Sequence, residues 1–206
     1  MKRIESAADL KRAAAQLVRI EPRFAPIVAA GPLPLRRRAD GFAALLQAIV
    51  GQQVSTASAA AIWARLEAVG LDNERAMACA TEQDLRDCGL SRPKQRYALG
   101  LAQARLDWVG LRALDAEGVV AELVRVPGVG PWTAEIYAMF ALGHMDVFAP
   151  GDLALREAAR RLFALQERPD PDALRQMSHA WSPVRAVAAR ALWVYYRWET
   201  EREGVT

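Results

Sequence analysis

The chain has 206 residues, 52% of them hydrophobic and 25% charged, with a formal charge of +3. This composition can bury a core and is too apolar for a disordered chain, while the mild basic balance suits a polyanionic partner without identifying one. Cys79 and Cys88 are the only cysteines, which excludes a disulfide framework and a four-cysteine zinc or iron–sulfur site within one chain. The N-terminus carries Lys2, Arg3, Glu5 and Asp9 in place of an apolar leader core, and the apolar runs are shorter than a bilayer span. The expectation is a soluble, cytoplasmic protein with no membrane contact. Arginine supplies nearly all the positive charge, since lysine occurs only at Lys2, Lys11 and Lys94. Guanidinium groups suit phosphate, but a GC-rich genome yields the same Ala- and Arg-heavy usage.

Nearly every segment carries a helical period. Ser6 with Asp9 predicts a capped start, after which Leu10, Ala14, Leu17 and Val18 fall on one face. Gly31 to Pro34, followed by Arg36, Arg37 and Arg38, reads as a linker ending in a solvated basic turn. Phe42 to Val50 is an apolar helix interrupted by Gly51-Gln52-Gln53, and a second helix runs from about Ser55 to Val69. Thr81 with Gln83 and Asp84 opens a short helix stopped by Gly89, and Ser91 opens another through Tyr97 and Leu101. Further helices are predicted over Val119–Arg125, Trp132–Leu142, Leu153–Phe163, Pro171–Ala180 and Pro183–Trp198. Alternating β-branched runs are missing, so the fold class is all-α.

The stretch from Leu123 to Ala134 is the most informative. A short helix ends, Pro127-Gly128-Val129-Gly130 makes a tight turn, and Pro131 suits the first position of the next helix. Gly128 and Gly130 lack Cβ atoms, so another backbone can approach and positive φ is accessible. The N–H groups opening the second helix, with the positive end of its dipole, then form a phosphate site indifferent to base sequence. Val126 and Val129 would anchor the turn to the core. As an isolated Gly-x-Gly this is also a plain helix corner with no ligand.

Downstream lies Phe148-Ala149-Pro150-Gly151-Asp152, leading into an Arg-rich helix. On its own, Asp152 is a helix N-cap worth roughly 1 kcal/mol. Asp146 is its nearest rival but lacks the Pro-Gly lead-in. His144 and His179 have no metal-site spacing and receive no role.

The pattern Val-Pro-Gly-Val-Gly-x-x-Thr-Ala followed by Pro-Gly-Asp resembles the helix–hairpin–helix–Gly/Pro–Asp superfamily of DNA glycosylases. It is closest to the 3-methyladenine DNA glycosylase II group, in a compact form without that group's N-terminal β-rich domain. The resemblance covers roughly residues 20–200. It implies that Asp152 is the catalytic carboxylate, that Gly128, Val129, Gly130 and Thr133 hold the DNA backbone, and that the carbonyls of Val124, Val126 and Val129 hold a monovalent cation bridging to phosphate. Ile49-Val50-Gly51-Gln52-Gln53-Val54-Ser55 is similar to the turn from which the family drives a side chain into the duplex. That similarity puts Gln53 at the wedge position with Gln52 beside it at the DNA surface; on the residues alone, both glutamines simply bond exposed helix ends. Gly89-Leu90-Ser91 with Lys94 and Tyr97, and Trp181-Ser182-Pro183-Val184-Arg185, match the family's middle and C-terminal helices.

Position 132 separates mechanisms within the family. Members with strand-cleaving activity carry a lysine nucleophile there, whereas this chain has Trp132, and it lacks the family's iron–sulfur loop. The resemblance therefore implies monofunctional hydrolysis with no cofactor. An indole face stacks well on a purine made cationic by methylation, so Trp132 is expected to bind substrate. Trp193 matches a second pocket tryptophan, or is one more apolar residue beside Leu192 and Val194. Tyr137 and Phe140 read as core. Where the family has aromatics near the carboxylate, this chain has Ile136 and Leu153, which leaves substrate breadth open.

The expected architecture is two helical lobes, residues 41–146 and residues 1–40 with 147–206, separated by a DNA-facing cleft. The expected partner is double-stranded DNA containing damaged bases, bound by a monomer. Two alternatives stay open: a glycosylase for other damaged or mispaired bases, and a non-catalytic helix–hairpin–helix binding module.

Overall fold

The computed structural model describes residues 2–203. The helices, in chain order, are α1 (Ala7–Ile20), α2 (Ala25–Ala29, preceded by a 3₁₀ turn at Pro22–Phe24), α3 (Phe42–Val50), α4 (Thr56–Ala68), α5 (Glu74–Ala78), α6 (Glu82–Asp87), α7 (Arg92–Gln103), α8 (Trp108–Ala113), α9 (Ala116–Leu123), α10 (Pro131–Phe140), α11 (Leu153–Leu162), α12 (Pro171–His179) and α13 (Arg185–Glu203). The fold is all-α; among the described residues β-type pairing is confined to an isolated bridge between Arg3 and His144. No described helix is long and apolar enough to cross a membrane.

Helix starts follow their caps. Ser6 and Asp9 form a reciprocal capping box for α1, and Thr81 and Asp84 do the same for α6. Ser55 accepts from the Ser58 N–H ahead of α4. Asp115 accepts from the Gly118 N–H, so α9 begins at Ala116, ahead of the Val119 suggested by apolar period alone.

The chain divides into two compact units, residues 38–137 and residues 1–37 with 138–206. The second expected boundary, residue 146, compares with 137 here, and hydrogen bonds give the reason. Residues 141–146 are stitched to the N-terminus, with the Ile4 N–H donating to the Gly143 carbonyl (2.7 Å) and the Met145 N–H to the Lys2 carbonyl (3.3 Å).

In the discontinuous unit, α11 and α1 pack on α13. Phe24, Phe148 and Phe163 surround the buried Trp181 at ring separations of 5.5–5.6 Å. Arg36 and Arg38 are exposed, as a solvated turn requires, but Arg37 departs from that expectation. Arg37 donates to the carbonyls of Phe140 (3.1 Å) and Ala141 (2.7 Å), and the fully buried Arg190 reaches the Met139 carbonyl (3.5 Å). Those carbonyls end α10, where helix geometry leaves acceptors without intrahelical donors and the dipole favours cations. Arg37 is thus a helix cap.

In the continuous unit, α3 packs on α4 and α7, and α5 and α6 also pack on α7. Tyr137 is buried, which raises its hydroxyl to about 12, and its oxygen accepts the Gly41 N–H (2.8 Å) at the start of α3. Asp40 pairs with Arg112 beside it.

Candidate active site and DNA-facing turns

The hairpin between α9 and α10 is built from the inside outward. The Val129 N–H donates to the Val126 carbonyl (3.0 Å), closing a four-residue turn with Pro127 second and Gly128 third. Gly128 has φ +87°, which matches a type II turn, where the third position requires positive φ. A Cβ added there would lie 2.2 Å from the Tyr97 ring, so the turn sits directly on that ring. Tyr97 had been grouped only with its helix; its place under the glycine is a packing fact that the sequence does not print. Gly130 differs, since a Cβ there would meet nothing within 4 Å. The fold does not need that glycine, which leaves an unobstructed backbone at the mouth of α10.

Val126 and Val129 are buried and anchor the hairpin as expected. Contrary to the DNA contact that the resemblance implies for it, Thr133 is 3% exposed and its hydroxyl accepts from the Gln52 side-chain amide (3.2 Å). Gln52 is also turned inward, its Nε2 donating in addition to the Gly128 carbonyl (3.0 Å). The physical reason is common to both: a half-buried carbonyl and a buried hydroxyl next to the turn offer acceptors, and the Gln52 amide supplies two hydrogens.

Gln53 is exposed and adopts φ +55°, a left-handed conformation uncommon for residues other than glycine. The turn therefore projects this side chain outward. Lys94 braces the turn from α7, its Nζ donating to the Val50 carbonyl (2.7 Å), and burial lowers its ammonium below the usual lysine range. The carbonyls of Val124, Val126 and Val129 lie at a helix C-terminus and the turn that follows. Neutral oxygens of this kind suit a monovalent cation, although the Val126 carbonyl also serves the Val129 N–H. No group of three or more His, Cys, Asp or Glu side chains capable of holding a metal is found among the described residues.

Asp152 stands at the N-cap of α11. Its Oδ1 accepts from the N–H groups of Ala154 (2.9 Å) and Leu155 (3.1 Å) and from the Trp193 indole N–H (3.3 Å). The Trp193 ring packs against Phe140, centroids 5.8 Å apart, and the Arg190 guanidinium lies over the other aromatic, 4.7 Å from the Phe140 centroid. Trp193 thus combines ring packing on Phe140 with an indole N–H aimed at the Asp152 carboxylate. Asp146, the rival, is engaged elsewhere, receiving Arg185 at 2.6 Å and the Ser182 hydroxyl at 2.9 Å. Trp132 lies in the first turn of α10 and is 40% exposed; Leu153, the first residue of α11, is 61% exposed.

The profile of the HhH-GPD superfamily base excision DNA repair proteins matches residues 46–183, which includes the Gln52–Gln53 turn, the hairpin and Asp152. The chain belongs to this superfamily. Among HhH-GPD relatives, YfjP of Bacillus subtilis is 33% identical over 115 residues, which cover 54% of this chain and 40% of that protein, so the chain spans less than half its length. The alkylbase DNA glycosidase-like protein mag2 of Schizosaccharomyces pombe is 25% identical across 90% of this chain and 93% of its own. The crystal structure of a DNA-3-methyladenine glycosidase from Bacillus halodurans superposes with a TM-score of 0.82 and 28% identity, covering 97% of this chain and 94% of that one.

Proposed function

We propose that this HhH-GPD protein is a monofunctional DNA glycosylase that hydrolyses the N-glycosidic bond of alkylated purines, 3-methyladenine and 7-methylguanine, in duplex DNA. The observation that carries the reading is the setting of Asp152. Two helix N–H groups and an indole N–H converge on one carboxylate oxygen. That holds the group in one orientation before any substrate arrives, as electrostatic catalysis requires. Relatives named for 3-methyladenine and alkylated bases support the substrate class.

The chemistry follows from the substrate. Methylation at N3 or N7 makes the purine a cationic leaving group, so little general-acid assistance is needed. As the bond to C1′ breaks, positive charge develops on the sugar, and the Asp152 carboxylate stabilises it and orients the attacking water. Trp132 offers an indole face to the cationic base. Position 132 has no amine with which to form a Schiff base, so the strand is left intact. Gln53 fills the space vacated by the extruded nucleotide. The hairpin binds the backbone through the Gly130 side and the N-terminal end of α10; a monovalent cation held by the carbonyls of Val124, Val126 and Val129 would add positive charge there. One copy of the chain carries every residue used, and the reading takes it as a monomer.

The test is base release from methylated duplex DNA. Wild type frees 3-methyladenine or 7-methylguanine and leaves the strand uncut until alkali is added, whereas Asp152→Asn frees no base above background and creates no alkali-labile site. Binding without release in the wild type would overturn the alkylated-purine assignment.

A further inference from the structure

We propose that Gln52 is a positioning residue, tying the turn that presents Gln53 to the hairpin so that backbone grip and base displacement act as one rigid piece. The inference rests on Gln53 being the wedge. Both hydrogens of the Gln52 amide are engaged, one by the Gly128 carbonyl at 3.0 Å and one by the Thr133 hydroxyl at 3.2 Å. A carbonyl only accepts, so the nitrogen must face it, and the Gln52 amide has no hydrogen left for a phosphate oxygen. Its service is internal.

Both ends of the strut are rigid. On the hairpin side, Gly128 is fixed by its positive φ and by the Tyr97 ring beneath it, and Thr133 is buried in the first turn of α10. On the other side, the Gln52 N–H donates to the Ile49 carbonyl (3.2 Å), and Lys94 secures the Val50 carbonyl. Between them stands Gln53 in a left-handed conformation, which persists only where the surroundings hold it. Deleting the Gln52 amide frees the turn on its hairpin side. Gln53 then relaxes toward ordinary backbone angles, while the hairpin keeps its own closure through Val126 and Val129.

The experiment uses the full chain and a duplex carrying 2-aminopurine next to a tetrahydrofuran abasic site, whose fluorescence rises when the step is opened. Anisotropy on an undamaged duplex reports grip. Gln52→Ala and the isosteric Gln52→Glu are expected to lower the opening equilibrium roughly ten-fold or more, the equivalent of two lost hydrogen bonds, while duplex affinity stays within about two-fold. Thr133→Val should add little to that loss in the Gln52→Ala background, because the two groups act through one contact. Equal losses of opening and affinity, or no loss of either, overturn the proposal. Gln53→Ala separates the two readings. If it abolishes opening while Gln52→Ala does not, the strut fails and the wedge stands. If it leaves opening intact while Gln52→Ala reduces it, the wedge assignment fails and the strut that rests on it falls too, Gln52 then acting on the duplex by another route; if neither variant matters, both fall.

Discussion

Replacing Asp152 by Asn and by Ala separates its two functions. The Oδ1 atom collects three donors, at 2.9, 3.1 and 3.3 Å. An asparagine side-chain oxygen accepts the same three, and Asn is about as good an N-cap as Asp, so Asp152→Asn should melt within about 0.5 kcal/mol of wild type. Alanine removes the cap, at about 1 kcal/mol, and leaves the Trp193 N–H without its acceptor, at roughly 1 kcal/mol more. For a chain of this size about 2 kcal/mol lowers Tm by roughly 4–8 °C. Both substitutions erase the negative charge, and loss of one preorganised electrostatic group slows the chemical step by about 10²–10³-fold. Single-turnover base release and thermal melting, run on the three proteins, should therefore show two equally slow variants of which only one is destabilised. If Asp152→Asn kept more than about a tenth of the wild-type rate, or melted together with Asp152→Ala, the assignment of charge to catalysis and geometry to folding would be refuted.

The two hairpin glycines should respond oppositely. Gly128→Ala combines a φ of +87° with a Cβ 2.2 Å from the Tyr97 ring and is expected to cost at least about 2 kcal/mol by thermal melting. Gly130→Ala should be neutral within about 0.5 kcal/mol, whereas Gly130→Asp weakens binding to any duplex by repelling phosphate; unchanged anisotropy for the aspartate variant would remove the hairpin from the DNA contact. Glu157 gives a pH signature. Hydrogen bonds from Arg160 and then Arg161 hold its carboxyl down to about 2, against an ordinary 4.5. A depressed carboxyl contributes stability that is complete above pH 4.5 and lost as pH falls toward 2. Because the network is on the surface, the contribution is about 1 kcal/mol or less, and Glu157→Gln should flatten that part of the acid-unfolding curve; a curve parallel to wild type would disprove the linkage.

How much of this was legible depended on whether a residue's partner was near in sequence. Asp152 capping α11, Ser6 and Asp9 opening α1, and Pro131 starting α10 are local arrangements and were read directly. Helices α5 and α8 were missed because five or six residues are too few for a periodic signal, although Asn73 and Asp107 cap them and offered a cue. Arg37, Gln52, Thr133 and Tyr97 were misplaced or left out for a different reason. Each is defined by a contact with a distant segment, such as Gln52 with Gly128, and no spacing rule reports such pairs. Trp193 lies between these cases, since its sequence neighbours make it one more apolar position on α13 and only the fold brings its indole N–H to Asp152.

The discontinuity of one unit bears on how the protein is made. Residues 38–137 form a continuous stretch, so this unit has its whole sequence available before residues 138–206 are made. The unit containing Asp152 draws on residues 1–37 and 138–206, and both α1 and α11 pack on α13, which starts at Arg185. Its N-terminal segment must wait for a partner made only after residues 38–137, at the loop-closure cost that slows contacts between distant residues. The hairpin can thus assemble before the unit that holds Asp152 has its whole sequence.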